Sequence, residues 1–275
     1  MATDLETYLF DLRGYIHLEQ TLSSEEVAEL NTCLDKVPKL EPGDWFGNVH
    51  AHNYGDATSG LNLQQIYEGG EPFERLIDHP SWIEKVKFFV GGEGTFDYHH
   101  GPLFIDENFA NFREPGEAIG LHSGGYPPNL RNQYRYHGGR FMCGQVNILI
   151  ALTDIGPGDG GTMLIPGSHK SNFKHPHYDR YRMSKDATVE GTEGAVETQM
   201  KAGDALLFVD GISHGSAKRI NPGTRRIIVY RYGPSWGNFR HGYQPSRELL
   251  DRLTPERRRI VSPQQPLLKP PTDQD

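Results

Sequence analysis

Short segments separated by glycine and proline fill the chain from about Thr95 onward, and they constrain its fold more than any other feature. Residues 145–152 alternate between branched apolar side chains and a second, mixed set, which is the period of a β-strand with two different faces. The segment 205–209 is a short apolar run, and 226–232 is rich in β-branched and aromatic residues. Together with 32 glycines and 19 prolines, this pattern predicts a β-sandwich or barrel rather than a helical bundle.

The first 92 residues have a different pattern and are predicted to be largely helical. A capping box at Ser23–Glu26 begins a segment in which apolar residues recur at intervals of three and four, and Pro38 ends it. A second box at Ser81–Glu84 is predicted to begin another helix, which the glycine pair at 91–92 ends.

We predict a single domain over residues 1–245, because 275 residues suit one large β domain with helical additions better than two separate domains. Its helical part is expected at 1–92 and its β core at 93–235. Residues 246–275 are predicted to form one C-terminal helix followed by a loose, proline-rich tail.

Charge and cysteine usage restrict the partners and the setting. The net charge is −8 and there is no long basic stripe, so nucleic-acid binding is not expected. No stretch approaches the roughly 20 apolar residues of a membrane span. Cys33 and Cys143 lie far apart without a pairing motif, and the N-terminus lacks a secretion-signal pattern. We therefore expect a reducing, cytoplasmic setting; the sequence does not indicate an oligomeric state.

Several motifs in a fixed order carry the chemical signal. Any one of the thirteen histidines is weak evidence by itself, and each short motif occurs often by chance, so the order of the set matters most. The set consists of Leu121–Gly125 (LHSGG), Gly160–Lys170 (GGTMLIPGSHK), Gly203-Asp204, His214–Ser216 (HGS) and Arg225.

This ordered set resembles the phytanoyl-CoA dioxygenase family of iron/2-oxoglutarate oxygenases over roughly residues 9–235. The phrases Gly14–Ile16 and Leu22–Glu26 also look like that family, and Pro166–His169 is its most recognisable local feature. The resemblance implies a mainly β fold with flanking helices, built on a double-stranded β-helix (a jelly-roll, cupin-like barrel). It also implies Fe(II), 2-oxoglutarate and O2 as cofactor and co-substrates, and a small-molecule substrate that it does not identify.

The resemblance places the iron on His122 and His214 and the C5 carboxylate of 2-oxoglutarate on Arg225. Strand periodicity puts Ser216 on the same side as His214, where it would face the oxoacid. A guanidinium can bind a carboxylate with two parallel hydrogen bonds, and burying it without an anion is costly. An inward Arg225 would therefore itself indicate an anionic ligand; the alternative is a surface charge after the turn at Pro222-Gly223. Asn147 could also donate to the oxoacid, if its face of the strand points inward.

The sequence departs from the family at one metal-ligand position. The usual facial triad is His-x-Asp followed later by His, but Gly124 stands where the Asp is expected. Strand periodicity would turn Ser123 to the opposite face. The glycine would leave a coordination position open, although a turn that needs positive φ would also explain it.

Three hypotheses follow from the open position at Gly124. Water or a distant carboxylate completes the iron site of a hydroxylating dioxygenase, which we rank first. Chloride fills the position in a halogenase, since the His-x-Gly variant resembles that of the iron/2-oxoglutarate halogenases. Otherwise iron binding is impaired and the chain is a non-catalytic metal- or ligand-binding jelly roll. The candidate distant carboxylates are Asp106, Glu107, Glu114 and Glu117.

Two arginines are candidates for binding the substrate. Arg231 shares a strand face with Arg225, so it could meet a substrate anion. Arg135 lies in the segment 126–140, whose cations could attract an acidic substrate or simply be solvated. His169, by contrast, is predicted to be a structural residue of the Pro-Gly turn.

Overall fold

Two antiparallel sheets of unequal size face each other in the computed structural model, which describes residues 1–53, 60–96, 100–182, 184–237 and 243–263. The larger has eight strands in the order β1-β12-β9-β14-β5-β4-β3-β2, and the smaller has four, β11-β10-β13-β6; β7 and β8 form a separate pair. The strands are β1 Tyr15–Leu18, β2 Trp45–Phe46, β3 Val49–His52, β4 Leu61–Gln64, β5 Leu103–Arg113, β6 Ile119–His122, β7 Tyr136–His137, β8 Arg140–Phe141, β9 Val146–Ala151, β10 Thr162–Ile165, β11 Val196–Glu197, β12 Ala205–Val209, β13 Ser213–Ser216 and β14 Arg225–Pro234.

Short helices flank the sheets. The α-helices are α1 Asp4–Arg13, α2 Ser24–Leu34, α3 Glu71–Glu74, α4 Ile83–Val90, α5 Tyr178–Tyr181, α6 Arg247–Arg252 and α7 Pro255–Val261, and 3-10 turns lie at Ile66–Gly69, Arg75–Asp78 and Ser168–Lys170. The mainly β jelly-roll class with flanking helices is thereby confirmed. The two sheets do not join into a closed barrel, so the expected barrel is a double-sheet sandwich.

The two faces of the larger sheet have different neighbours. On β14, Tyr230 and Tyr232 are fully buried and point to the helical side, where Tyr230 Oη donates to the carbonyl of Phe73 at 2.7 Å. Arg225, on the opposite face, contacts Ser216 of the smaller sheet at 2.9 Å. The odd-numbered face of β14 therefore points into the space between the sheets.

This arrangement decides which face of β9 points inward. In the register of β9 with β14, Asn147 pairs with Arg231 and Leu149 pairs with Val229, so both lie on the inward face. Ile148 is fully buried on the helical side. The inward alternative for Asn147, which periodicity could not select, is the correct one.

The smaller sheet also separates two environments. Leu164 and His214 are register partners on the inward face. Met163 and Ile165 belong to a second apolar cluster, which packs against Tyr178 and Tyr181 on the outer side. The segment after β10 thus forms an outer layer on this sheet.

The N-terminal part is more mixed than the largely helical segment expected at 1–92. It contributes β1, which pairs with β12, and β2 to β4, which extend the other edge of the larger sheet. The sequence did not indicate these strands because they are short. Strand β3, for example, has only four residues, Val-His-Ala-His. The capping box at Ser23–Glu26 is present, but Trp82 precedes α4 without a side-chain cap. The predicted box at Ser81–Glu84 is therefore wrong; Ser81 Oγ donates instead to the Thr21 carbonyl at 3.1 Å.

The C-terminal region holds two short helices, α6 and α7, where one was expected. Arg257 of α7 forms an ion pair with Asp78 at 2.7 Å, which ties this region to the helical layer. The predicted loose tail falls largely on residues 264–275, which lie outside the described residues. Cys33 and Cys143 are both free thiols. In the described ranges, no helix has the length and apolar character needed to cross a bilayer.

Candidate metal and co-substrate site

Two histidines face each other at the end of the smaller sheet. His122 is the last residue of β6, and it is the register partner of His214 on β13. Their ring centroids are 4.1 Å apart. The Nδ1 atom of His214 lies 2.8 Å from the Ile212 carbonyl, and that of His122 lies 3.2 Å from the Gly120 carbonyl. Both contacts fit an Nδ1–H donor, the tautomer whose lone pair for a metal is on Nε2.

The environment keeps the His122 ring neutral. Burial lowers the pKa of His122 well below its ordinary value, and the neighbouring His214 and, more weakly, Arg231 lower it further. The Gly120 carbonyl and the charge of Asp210 act in the opposite direction. A neutral imidazole is the form that binds a metal, so His122 suits metal coordination at neutral pH.

Arg225 lies between the sheets and is 4% exposed, which excludes the surface-charge alternative. Its guanidinium donates to Ser216 Oγ at 2.9 Å and to the Gly160 carbonyl, and it is 3.4 Å from Asn111 Oδ1. Ser216 Oγ donates to the same carbonyl at 2.7 Å. Ser216 and Arg225 are therefore brought together, as the sequence predicted.

Two further arginines, missed from the sequence, lie beside Arg225. Arg113 is fully buried, is the register partner of Arg225 and donates to Ser216 Oγ at 2.5 Å. Arg219 is 4% exposed. Burial, then the charges of Arg113 and Arg219, lower the pKa of Arg225 to about 9; burial and Arg219 lower the pKa of Arg113 to about 10. We name these three residues the arginine cluster. Because β5 was not predicted, its last residue, Arg113, could not be placed.

The arginine cluster is suited to an anion. Among the described residues, the nearest carboxylate contact of the cluster is Asp159, 4.0 Å from Arg219. Asp159 and Glu197 only partly offset the positive charge at Arg225. The Nε atoms of all three arginines are buried and have no hydrogen-bond partner within the described ranges. Buried guanidiniums need such partners, so a carboxylate-bearing ligand fits here.

Asn147 does not join the arginine cluster. Its side-chain amide donates to Asp210 Oδ1 at 3.2 Å, and Asp210 is also 3.2 Å from Arg131 Nε. Asn147 is level with Arg231, six residues or about 20 Å along β14 from Arg225. Sequence reasoning also missed Asp210, which is fully buried and four residues before His214.

The two arginines predicted to bind substrate are in different situations. Arg231 is paired with Glu107, and its guanidinium lies 5.2 Å from the Phe109 ring centre. Glu107 also accepts from Gln64 at 2.9 Å. Arg135 is exposed, just before β7. The structure therefore places Arg231 inside, with its charge balanced, and Arg135 at the surface.

The predicted distant carboxylates have contacts elsewhere. Asp106 accepts from Gln145 at 3.0 Å, Glu114 accepts from Thr224, and Glu117 pairs with Lys218 at 3.1 Å, while Glu107 holds Arg231. In the part of the chain that the structure describes, no three His, Cys, Asp or Glu side chains form a group that could hold a metal ion. The two histidines are thus a pair there, without a third protein ligand.

The turn after His122 explains Gly124 conformationally. Ser123, Gly124 and Gly125 have φ of 64°, 71° and 70°, the left-handed region that favours glycine. A Cβ at Gly124 would lie 3.2 Å from Ser213 Cβ. Because β6 ends at His122, the strand argument that turned Ser123 away does not apply. The Ser123 hydroxyl is buried, with no partner among the described residues.

The structural interpretation of His169 is correct. Its Nε2 lies 3.1 Å from the Asp11 carbonyl, and a Cβ at Gly14 would come within 2.5 Å of its Nδ1. Gly14 also ends α1 with φ of 86°. The N-terminal motif and the Pro-Gly-Ser-His motif therefore pack directly on each other.

Comparison with known proteins identifies the family of the chain. The family description "Phytanoyl-CoA dioxygenase (PhyH)" matches residues 10–227. Dioxygenase cdmD of Talaromyces verruculosus is 24% identical, covering 91% of this chain and 78% of the relative. Dioxygenase FUM3 of Gibberella moniliformis is 40% identical over 217 residues, 74% of this chain and 62% of the relative. The chain belongs to the phytanoyl-CoA dioxygenase family.

A solved structure shares the fold. HygX from Streptomyces hygroscopicus, with nickel and 2-oxoglutarate bound, superposes with a TM-score of 0.70 and 22% identity, covering 90% of this chain and 94% of HygX. Another HygX structure, with nickel, 2-oxoglutarate and hygromycin B bound, has a TM-score of 0.64 at 22% identity and covers 86% of this chain and 89% of HygX.

Proposed function

We propose that this protein is an Fe(II)- and 2-oxoglutarate-dependent dioxygenase that oxidises a small organic molecule. His122 and His214 hold the iron, and Arg225 binds the C5 carboxylate of 2-oxoglutarate. The observation that carries the proposal is the combination of two facing imidazoles, of which His122 is held neutral, with a buried arginine cluster whose positive charge is only partly offset by carboxylates. Binding of a metal and 2-oxoglutarate by HygX supports it.

The chain's own residues bind and orient the co-substrate. Iron, when bound, supplies the redox chemistry by which 2-oxoglutarate gives succinate and CO2 while the substrate is oxidised with O2. Arg225 provides the charged fork for the far carboxylate. Ser216 accepts from Arg113 and Arg225 and donates to the Gly160 carbonyl, so its hydroxyl aligns the two guanidiniums. Arg113, Arg225 and Ser216 are all buried, and burial strengthens the electrostatic contacts between them and a bound carboxylate.

Hydroxylation or a related oxidation is our first proposal for the reaction. The left-handed backbone accounts for Gly124 without a halide. Asp210, like the carboxylates considered from sequence, has its own contacts, with Asn147 and Arg131, so water is our first candidate for the open position on the iron. Halogenation is the second proposal, favoured by the lack of a third protein ligand in the described ranges, where chloride would take the position beside Gly124. A non-catalytic binding protein is the third. The cytoplasmic location stays a prediction.

An anaerobic titration with Fe(II) and 2-oxoglutarate, with and without chloride, tests the proposal. We expect a metal-to-ligand charge-transfer band, and succinate on admission of O2. His122→Ala should abolish the band. His177→Ala is the matched control, because this exposed histidine pairs with Glu193, and it should leave the band unchanged.

Three results separate the alternatives. Tighter 2-oxoglutarate binding with chloride, or a chlorinated product mass, would favour the halogenase. Metal binding without a charge-transfer band on addition of 2-oxoglutarate would favour a non-catalytic jelly roll. A protein with neither the band nor succinate is not the enzyme we propose.

A further inference from the structure

The histidine pair lies where the pairing of β6 with β13 ends. His122 is the last residue of β6, and β13 begins only one residue before His214. A register shift separates this pair from the next, Ser216 with Ile119. Hydrogen bonds between the strands therefore hold the histidines from one side only, and the chain on the other side must hold them as well.

Residues 210–212 connect the two sheets just before His214, and we name them the corner. They follow β12 of the larger sheet and precede β13 of the smaller sheet. The Asp210 amide donates to the Gln145 carbonyl at 2.9 Å, and the Ile212 carbonyl lies 2.8 Å from His214 Nδ1. A shift of the corner would therefore move the acceptor that orients the His214 ring.

The segment 126–133, which follows the turn after His122, packs directly on the corner. A Cβ at Gly211 would come within 2.6 Å of the Asn132 carbonyl oxygen, so the two backbones are in contact there. Asn132 is itself fixed, because its amide donates to Asn129 Oδ1 at 3.1 Å. The chain after the first histidine and the chain before the second therefore touch each other beyond the end of the strand pairing.

An ion pair joins the same two segments through their side chains. Asp210 Oδ2 lies 3.2 Å from Arg131 Nε, and the aspartate side chain is 1% exposed while that of the arginine is 29% exposed. The other carboxylate oxygen accepts from Asn147 at 3.2 Å. Because the carboxylate is buried, the attraction is stronger than it would be at the surface. The ion pair is therefore suited to holding the corner against the segment 126–133.

We propose that the ion pair between Asp210 and Arg131 positions the two histidines for metal binding, and that Asp210 is a positioning residue, not a ligand. The inference rests on the proposed assignment of His122 and His214 as metal ligands. The ion pair fixes the corner, and with it the carbonyl that orients the His214 ring. Both imidazoles are then in place before a metal arrives, so little ordering is left for the binding step.

Titration of the metal-free full chain with Co(II) alone, followed by calorimetry, tests this role. Wild-type protein should bind one Co(II) ion. Asp210→Asn and Arg131→Met should each weaken binding about tenfold, the lower end of the losses that follow removal of outer-shell partners at metal sites. Arg131→Lys keeps the charge and should bind within about threefold of wild type.

The direction of the Arg131→Met effect separates positioning from simple electrostatics. Acting through space alone, the loss of a positive charge would strengthen the binding of a cation, whereas the loss of the Asp210 charge would weaken it. Positioning instead predicts that both variants bind Co(II) more weakly. Unchanged or tighter binding by Arg131→Met would overturn the proposal. This variant keeps the test valid if Asp210→Asn fails to fold, which its thermal unfolding would reveal.

Asp204→Asn is the matched control, because Asp204 precedes β12 as Asp210 follows it. Asp204 is 4% exposed and pairs with His17 at 3.1 Å, so its loss should lower the unfolding temperature but leave Co(II) affinity unchanged. An equal loss of affinity in Asp204→Asn and Asp210→Asn would mean general destabilisation and would refute the positioning role. Wild-type protein that binds no Co(II) would overturn the metal site itself, whereas wild-type binding with unaffected variants would overturn only the ion pair's role.

Discussion

Arg225 and Arg231 lie on the same inward face of β14, yet their surroundings are opposite. Arg225 is grouped with Arg113 and Arg219, which are also buried and positively charged. Arg231 is paired with Glu107, whose side chain is fully buried. The end of β14 at Arg225 therefore has an excess of positive charge, and we call it the charged end. At Arg231 the charge is balanced by a carboxylate of the protein, and we call this the balanced end.

The difference shows when a buried arginine indicates a ligand. Strand periodicity alone gives both residues the same inward direction and suggests an anion for each. The residue opposite each arginine on β5 decides whether a ligand anion is needed. Glu107 is the register partner of Arg231, whereas Arg113 is the register partner of Arg225. An inward guanidinium predicts an anionic ligand only where the protein does not supply the carboxylate itself.

The largest effect is expected at the balanced end. Arg231→Met leaves Glu107 buried without its partner, so the free energy of unfolding should fall by about 3–5 kcal/mol. The double variant Glu107→Gln/Arg231→Met should recover most of the loss. Arg225→Met in metal-free protein removes one of three like charges and should change the stability by about 1 kcal/mol or less. Urea denaturation measures all three, and equal losses for the two single variants would break the comparison.

The charged end should instead control co-substrate binding. Arg225→Ala removes the fork for the C5 carboxylate and should weaken 2-oxoglutarate binding about 100-fold, or about 2.7 kcal/mol. Arg225→Lys keeps the charge without the fork and should give an intermediate loss. Arg231→Met should change the affinity less than threefold. The measurement is an anaerobic titration with Fe(II) present, and a larger loss for Arg231→Met would reverse our assignment of the two ends.

Strands β9, β12 and β14 and the paired histidines were predictable because their signals are local or ordered along the chain. The alternation in residues 145–152 predicted β9, and the order of the motifs singled out His122 and His214. Their facing positions on β6 and β13 follow from the fold that the resemblance implied.

The missed residues depend on pairing between distant segments. Arg113 belongs to the site only because β5 lies next to β14. Strand β5 shows no alternation of apolar and polar residues, because nine of its eleven residues are buried and Asp, Glu and Asn are among them. Asp210 is recognisable only from its contacts with Asn147 and Arg131. The strand argument at Ser123 failed for another reason, since a left-handed turn begins there.

Ser216 allows a finer test of the charged end. Its hydroxyl accepts from Arg113 and Arg225 and donates to the Gly160 carbonyl. Ser216→Ala should weaken 2-oxoglutarate binding about tenfold, because both guanidiniums lose a shared acceptor. Ser213→Ala is the matched control on the same strand, with its side chain on the outer face, and should leave 2-oxoglutarate affinity unchanged. An unchanged affinity in Ser216→Ala would mean that Arg225 is oriented by the backbone alone.

The smallest effect is expected from two inward asparagines, one near each end. Asn111 lies 3.4 Å from the Arg225 guanidinium, whereas Asn147 donates to Asp210 near Arg231. Asn111→Ala should weaken 2-oxoglutarate binding about threefold, because one weak contact that orients the guanidinium is lost. Asn147→Ala should leave the affinity unchanged within the error of the same titration. If Asn147→Ala has the larger effect, the oxoacid reaches further along β14 than the arginine cluster indicates, and the two ends act on one ligand.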